Sequence, residues 1–66
     1  MPRTTREWAL RELTAVGRNI EWVQTHLAAV IEKYVDREPE IAGNLLTCVE
    51  LSEVLSDTVK KIRGSI

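Results

Sequence analysis

Residues that could carry out chemistry are few in this chain of 66 residues, and they lie far apart. The chain has one histidine, His26, and one cysteine, Cys48. Catalysis would need a nucleophile or carboxylate paired with such a group, and a structural zinc site needs more ligands than these two. The sequence offers neither arrangement and has no glycine-rich phosphate loop. We therefore predict that the protein is not an enzyme and uses no cofactor or metal.

The polar residues also have structural interpretations. His26 is predicted to lie beside the contact between two helices and to face Leu51, and a pH switch at an interface is the alternative. Cys48 is predicted to be a small buried hydrophobic residue that faces Leu27. Ser52 is predicted to be a small filler whose hydroxyl bonds a carbonyl one turn back.

The aromatic residues indicate recognition. Trp8 and Trp22 alternate with Ala15 and Ala29 at a spacing of seven residues. They are predicted to anchor a subunit interface, and the alternatives are a hot spot for another protein or stacking on a base. The predicted oligomer interface comprises Trp8, Ala15, Trp22, Ala29, Leu51 and Val54. A second predicted apolar patch comprises Ile31, Val35, Leu46 and Val49.

Charge is balanced overall but uneven along the molecule. Nine basic and ten acidic side chains give a net charge of −1, which provides no general attraction to nucleic acid or to an anionic membrane. In a helical hairpin, basic residues would gather where both chain ends meet. They would form either a solvated face matched to the helix dipoles or a set of anion or nucleic-acid contacts. The set is Arg3, Arg6, Arg11, Arg18, Lys60, Lys61 and Arg63.

Cellular location is inferred from what the chain lacks. No apolar run approaches the roughly 20 residues that span a bilayer. The charged N-terminus does not resemble a signal peptide, and a lone cysteine fits a reducing compartment. We therefore predict a cytoplasmic protein without membrane contact.

Two helical segments must position these residues. In each half of the chain, apolar residues recur with alternating steps of four and three, the heptad pattern of packed helices. Thr4 and Glu7 fit a capping box at the start, and Gly64 can end the second segment. Gly17 could divide the first segment, but the heptad register passes through it unchanged.

The boundaries follow from the charged segment around Pro39, which interrupts the pattern. The prediction is a single domain over 1–66, with helix one at about 4–36, a turn at about 37–38 and helix two at about 39–63. Folded at that turn, the two apolar stripes meet in eight successive layers. The first stripe is Ala9, Leu13, Val16, Ile20, Val23, Leu27, Val30 and Tyr34, and it pairs in reverse order with Ile41, Leu45, Cys48, Ser52, Leu55, Val59, Ile62 and Ile66.

The predicted fold is an all-α antiparallel two-helix hairpin. Its remaining apolar surface exceeds what a soluble monomer normally exposes. Assembly into a four-helix bundle, with a homodimer as the simplest case, or into a higher helical oligomer is therefore expected. In length and helix pattern, though without a shared motif, the chain resembles the Rop type of plasmid regulator. That resemblance implies a dimeric four-helix bundle of hairpins that binds paired RNA loops.

Three functions are compatible with this fold. The first is a homo-oligomeric interaction module that binds another macromolecule, most simply a protein, as an adaptor or inhibitor. The second is a nucleic-acid-binding regulator that uses Arg11, Arg18 and the basic end. The third is sequestration of a small anionic nucleotide between subunits, since a hairpin of this size has no pocket of its own.

Overall fold

The computed structural model describes residues 3–66, with side chains from residue 5 onward, and this part of the chain is all-helical. Helix α1 spans Arg3–Tyr34 and helix α2 spans Pro39–Ser65. The two helices pack against each other, which confirms the predicted all-α hairpin. The predicted capping box depends on Thr4 and lies outside the described side chains.

The chain reverses direction over residues 35–38, and backbone hydrogen bonds close the turn. The amide of Glu38 donates to the carbonyl of Tyr34 at 2.8 Å. The carbonyl of Glu38 accepts from the amide of Ala42 at 3.2 Å, so Glu38 is the N-cap of α2. Pro39 follows at a position where a missing amide costs no helical bond. Because the turn is already closed at Tyr34, α1 ends slightly before the predicted boundary.

The glycines do not interrupt the helices. Gly17 lies inside a continuous α1, as the unbroken heptad register predicted. Gly64 does not end α2, because it has no positive φ and the helix continues through Ser65. The amide of Ile66 still donates to the carbonyl of Ile62 at 3.1 Å, so the predicted stop at Gly64 is wrong.

The contact between the two helices, here called the seam, is rotated relative to the prediction. The predicted and observed seams share the buried or half-buried residues Ala9, Leu13, Ile20, Leu27, Leu45, Ser52, Val59 and Ile66. The remaining predicted seam residues Val16, Val23, Val30, Tyr34, Ile41, Cys48, Leu55 and Ile62 are exposed. Six residues one position later, Gly17, Gln24, Ile31, Ala42, Val49 and Ser56, are buried or half-buried instead. In each of the six predicted layers from Val30 opposite Leu45 to Leu13 opposite Ile62, one residue lies in the seam and the other is exposed.

Small and polar residues explain the rotation. Ala42 and Ser52 are buried, and with Ser56 they line the seam with short side chains that allow the helices to pack together. The Nε2 amide of Gln24 donates to the hydroxyl of Ser52 at 3.0 Å across the seam. Leaving a buried polar group unpaired costs about 1–3 kcal/mol, so the seam that keeps these partners together is favoured.

The hairpin buries little apolar surface by itself. Among the described residues, the buried apolar side chains are Ile20, Ala42 and Val59, and no large side chain is fully buried. The Cα positions extend over 52 × 15 × 11 Å, which describes a plate two helices wide and one helix thick. A single layer of this kind encloses no separate core, so its stability depends on what covers its broad sides.

Candidate interaction face

One broad side of the plate is apolar along the length of the hairpin. On each helix, a row of aliphatic residues precedes a seam row by one position. Because the helices run antiparallel, the same step along the chain turns both rows toward the same side of the hairpin. The residues that we call the broad apolar face are Val16, Val23, Val30, Ile41, Cys48, Leu55 and Ile62.

The broad apolar face is open to solvent in the single chain. Val23 is 49% exposed and Leu55 is 51% exposed, and they represent the two helices near the middle of the plate. Leu51 borders the same side on α2 and is 64% exposed. Soluble monomers rarely expose one contiguous apolar patch of this extent, and such patches commonly mark interaction sites.

The middle of the opposite broad side is polar. A shallow depression there is lined by Glu21, Gln24, Glu53, Ser56, Asp57 and Lys60. These side chains carry both signs of charge and can remain hydrated in a single chain. Nearer the turn, helix periodicity places Val35 and Leu46 on the same side, where they are 50% and 51% exposed. One side of the plate is therefore apolar along its length, and the other is polar at its middle and apolar toward the turn.

The two tryptophans lie on the outer edge of α1, directed away from the seam. Trp8 is 58% exposed and Trp22 is 66% exposed, and both lie on one heptad row with Ala15 and Ala29. The ring of Trp22 contacts the ring of His26, with 5.3 Å between the ring centroids and 39° between the planes. We call the row of Trp8, Ala15, Trp22 and Ala29 the tryptophan edge.

The predicted interface residues do not form a single surface in the hairpin. Helix periodicity around the observed seam places Val54 on the outer side of α2, away from the tryptophan edge, whereas Leu51 borders the broad apolar face. In the predicted second patch, Ile31 and Val49 are half-buried in the seam and Val35 and Leu46 are exposed beside them.

The basic residues are dispersed. Arg11 and Arg18 line a shallow depression on α1 together with Leu10, Thr14 and Ala15. The Nε of Arg6 donates to the carbonyl oxygen of Ile66 at 2.9 Å, which ties the start of α1 to the end of α2. Lys60 lies on the polar broad side, Lys61 and Arg63 are exposed, and the side chain of Arg3 lies outside the described residues.

Cys48 and Ser52, two potentially reactive side chains, have different surroundings in the fold. The thiol of Cys48 is exposed on the broad apolar face, so the prediction that it is buried opposite Leu27 is wrong. The rotation of the seam is the reason, because Val49 turns inward instead. Ser52 agrees with its prediction, since its hydroxyl donates to the carbonyl of Val49 at 2.6 Å. Within the described residues, no group of three His, Cys, Asp or Glu side chains is placed to hold a metal ion.

Comparison with known proteins identifies no relative whose function could be transferred to this chain. The chain matches no family model, no curated protein and no solved structure. Over residues 3–66, neither helix has an apolar stretch long enough to cross a membrane. The broad apolar face is therefore the feature that best indicates what the molecule does.

Proposed function

We propose that this protein is a non-enzymatic helical interaction module that forms a homodimer through the broad apolar face and binds another macromolecule, as an adaptor or inhibitor. The single observation that supports the proposal is the solvent exposure of two complete aliphatic heptad rows on one side of a plate that has almost no core. Covering that side with a second hairpin would complete a four-helix bundle.

The size of the face fits a stable dimer. The broad side measures 52 by 15 Å between Cα positions, a footprint on the order of 800 Å² per copy, which is typical for a specific protein interface. Full burial of a large aliphatic side chain is worth about 1.5–3 kcal/mol. Burying the exposed half of each side chain on two faces yields on the order of 10 kcal/mol. That gain is comparable with the association cost of about 4–15 kcal/mol.

The tryptophan edge is the surface that such a dimer would leave free for a different partner. Trp8 and Trp22 project from the outer side of α1, away from the seam and outside the broad apolar face. Exposed tryptophans are enriched among the residues that dominate the binding energy of protein interfaces. A protein partner that covers this edge is therefore the proposed target.

The test is the mass of the assembly, measured by size-exclusion chromatography with light scattering. Wild-type chain is expected at twice the mass of one hairpin, and Leu55→Glu is expected to give a monomer because a carboxylate would be buried without a partner. The matched control is Val54→Glu, which adds the same charge one residue away on the outer side of α2 and should keep the dimer. A monomeric wild type, or a dimeric Leu55→Glu variant, would overturn the proposal.

A second candidate function is suggested by the depression between Arg11 and Arg18. Two guanidinium groups seven residues apart, beside the tryptophan edge, could contact phosphates while a ring stacks on a base. Binding of this kind would weaken steeply with salt, because displaced counterions drive it. Retention of RNA or DNA at low salt that is lost in an Arg11→Gln, Arg18→Gln variant would support it. No retention by the wild type would exclude it.

A further inference from the structure

We infer that the second copy crosses the broad apolar face antiparallel to the first, so that the turn of each hairpin lies over the chain ends of the other. This inference rests on the proposed dimer and specifies its geometry. Two arrangements can bring the same face of two copies together by a twofold axis. If the axis runs along the hairpin, both turns lie at one end of the dimer, and we call this the parallel arrangement. If the axis runs across the hairpin, the turns lie at opposite ends, and we call this the crossed arrangement.

The spacing of the face residues locates the axis of the crossed arrangement. On α2 the face residues recur every seven positions, about 10.5 Å apart, and the row is centred between Cys48 and Leu55. The hydrogen bond between Gln24 and Ser52 puts the centre of this row at the height of Val23 and Gln24 on α1. One axis across the plate at that height places Cys48 on Leu55 of the second copy and Val23 beside its own equivalent.

Leu51 distinguishes the two arrangements. It lies midway between Cys48 and Leu55 along α2, on the row that borders the broad apolar face. In the crossed arrangement, α2 pairs with α2 of the second copy and Leu51 meets its own equivalent at the axis. In the parallel arrangement, α2 pairs with α1 and Leu51 lies near His26, because the bond between Gln24 and Ser52 sets Leu51 at about the height of residue 25. The crossed arrangement covers this leucine, which is 64% exposed, with a second leucine, whereas the parallel arrangement places it beside a polar imidazole.

The charge distribution favours the same arrangement. At the turn end the acidic residues outnumber the basic ones, and at the other end the basic residues outnumber the acidic ones. The turn end carries Glu32, Lys33, Asp36, Arg37, Glu38 and Glu40. The other end carries Arg6, Glu7, Arg11, Glu12, Asp57, Lys60, Lys61 and Arg63. Crossing the copies places opposite net charges together, whereas the parallel arrangement places like charges together.

A distance between two turns tests the arrangement directly. The variant Cys48→Ser, Arg37→Cys carries one spin label at the turn, and pulsed electron resonance measures the distance between the labels of a dimer. The crossed arrangement predicts roughly 40–45 Å, twice the helical rise of about 22 Å from the turn to the axis near Leu51. The parallel arrangement predicts roughly 10–25 Å, one to two helix diameters, and that result would overturn the inference. Absence of any dipolar coupling would instead show that no dimer forms, which would refute the proposed function as well.

Disulfide cross-linking gives an independent readout, because Cys48 is the only natural cysteine. In the crossed arrangement Leu55→Cys places its thiol opposite Cys48 of the second copy. A covalent dimer should then form at several times the yield of Val30→Cys, which the parallel arrangement would place beside Cys48 of the second copy. Within one chain, positions 48 and 55 are about 10.5 Å apart along α2, too far for a disulfide. A bond between positions 30 and 48 of one chain would migrate as a monomer. Equal yields of covalent dimer, or a higher yield from Val30→Cys, would overturn the crossed arrangement.

Discussion

Gln24 and Ser52 are joined across the seam by a hydrogen bond of 3.0 Å, in which the amide nitrogen of Gln24 donates to the serine hydroxyl. The hydroxyl in turn donates to the carbonyl of Val49 at 2.6 Å. This polar link occupies a place where the apolar pattern predicted Val23. The rotation that brings Gln24 inward also turns the valine row outward, so the seam and the broad apolar face have a common origin.

Breaking this link should destabilise the hairpin moderately. Gln24→Ala is expected to lower the free energy of unfolding by about 1 kcal/mol, because Ser52 loses a half-buried donor. A double-mutant cycle with Ser52→Ala should give a coupling energy of about 0.5–1.5 kcal/mol. Urea unfolding at one fixed protein concentration measures both quantities. Thr25→Ala removes an exposed bond to Glu21 and should change stability by less than about 0.5 kcal/mol. Zero coupling would show that the link contributes nothing.

Ile20 is the largest of the buried apolar side chains, at 6% exposure. Ile20→Ala should lower the free energy of unfolding by about 2–4 kcal/mol, since it removes buried methyl groups and leaves a cavity between the helices. Thermal unfolding followed by circular dichroism measures the loss. The control Ala15→Ser alters an exposed position on the same helix and should have little effect. If Ile20→Ala lowers the free energy of unfolding no more than Ala15→Ser does, Ile20 is not buried between the helices as described.

Glycine in the middle of α1 should be replaceable with a gain in stability. An ideal Cβ at Gly17 would meet no atom within 4 Å, and the backbone has no positive φ there. Gly17→Ala is therefore expected to stabilise the protein by up to about 1 kcal/mol through helix propensity. The reverse change at an exposed position, Ala29→Gly, should destabilise by a similar amount. Unfolding midpoints compare the two variants, and a destabilised Gly17→Ala would indicate that the helices approach more closely than described.

The start of α2 can be improved. Glu38 is the N-cap, but its side chain makes no capping hydrogen bond. A shorter carboxylate reaches the free amides of the first turn, so Glu38→Asp is expected to raise the free energy of unfolding by about 0.5–1 kcal/mol. Asp36→Glu changes the same chemistry in the turn without reaching a helix end, and its stability should stay close to that of the wild type. No gain from Glu38→Asp in urea unfolding would argue against this cap position.

The tryptophan edge should be dispensable for self-association. Because Trp22 points away from the broad apolar face, Trp22→Ala is expected to keep the mass and the dimer dissociation constant of the wild type. Sedimentation equilibrium measures both. Leu51→Glu is the comparison, and it should weaken the dimer at least tenfold by placing two carboxylates at the axis. If the Trp22→Ala variant dissociates, the tryptophan edge belongs to the dimer interface, as the sequence predicted.

Much of the architecture could be predicted from local patterns. Heptad spacing and the position of Pro39 identified two helices and the reversal between them, because these features depend on residues close together in the chain. The same holds for Gly17, where an unbroken register correctly indicated an unbroken helix. Gly64 was misjudged, since its backbone has no positive φ and α2 continues through Ser65.

The sequence by itself therefore determined the helices, the antiparallel hairpin and the excess of apolar residues that one hairpin cannot enclose. Only the tertiary structure decided which apolar row faces inward. Two rows on each helix, about 100° apart, are both compatible with a heptad pattern. The choice between them depends on whether Ala42 can be buried between the helices, and on whether Gln24 can bond Ser52 across the seam. These are contacts between distant residues, and no local pattern in the chain records them.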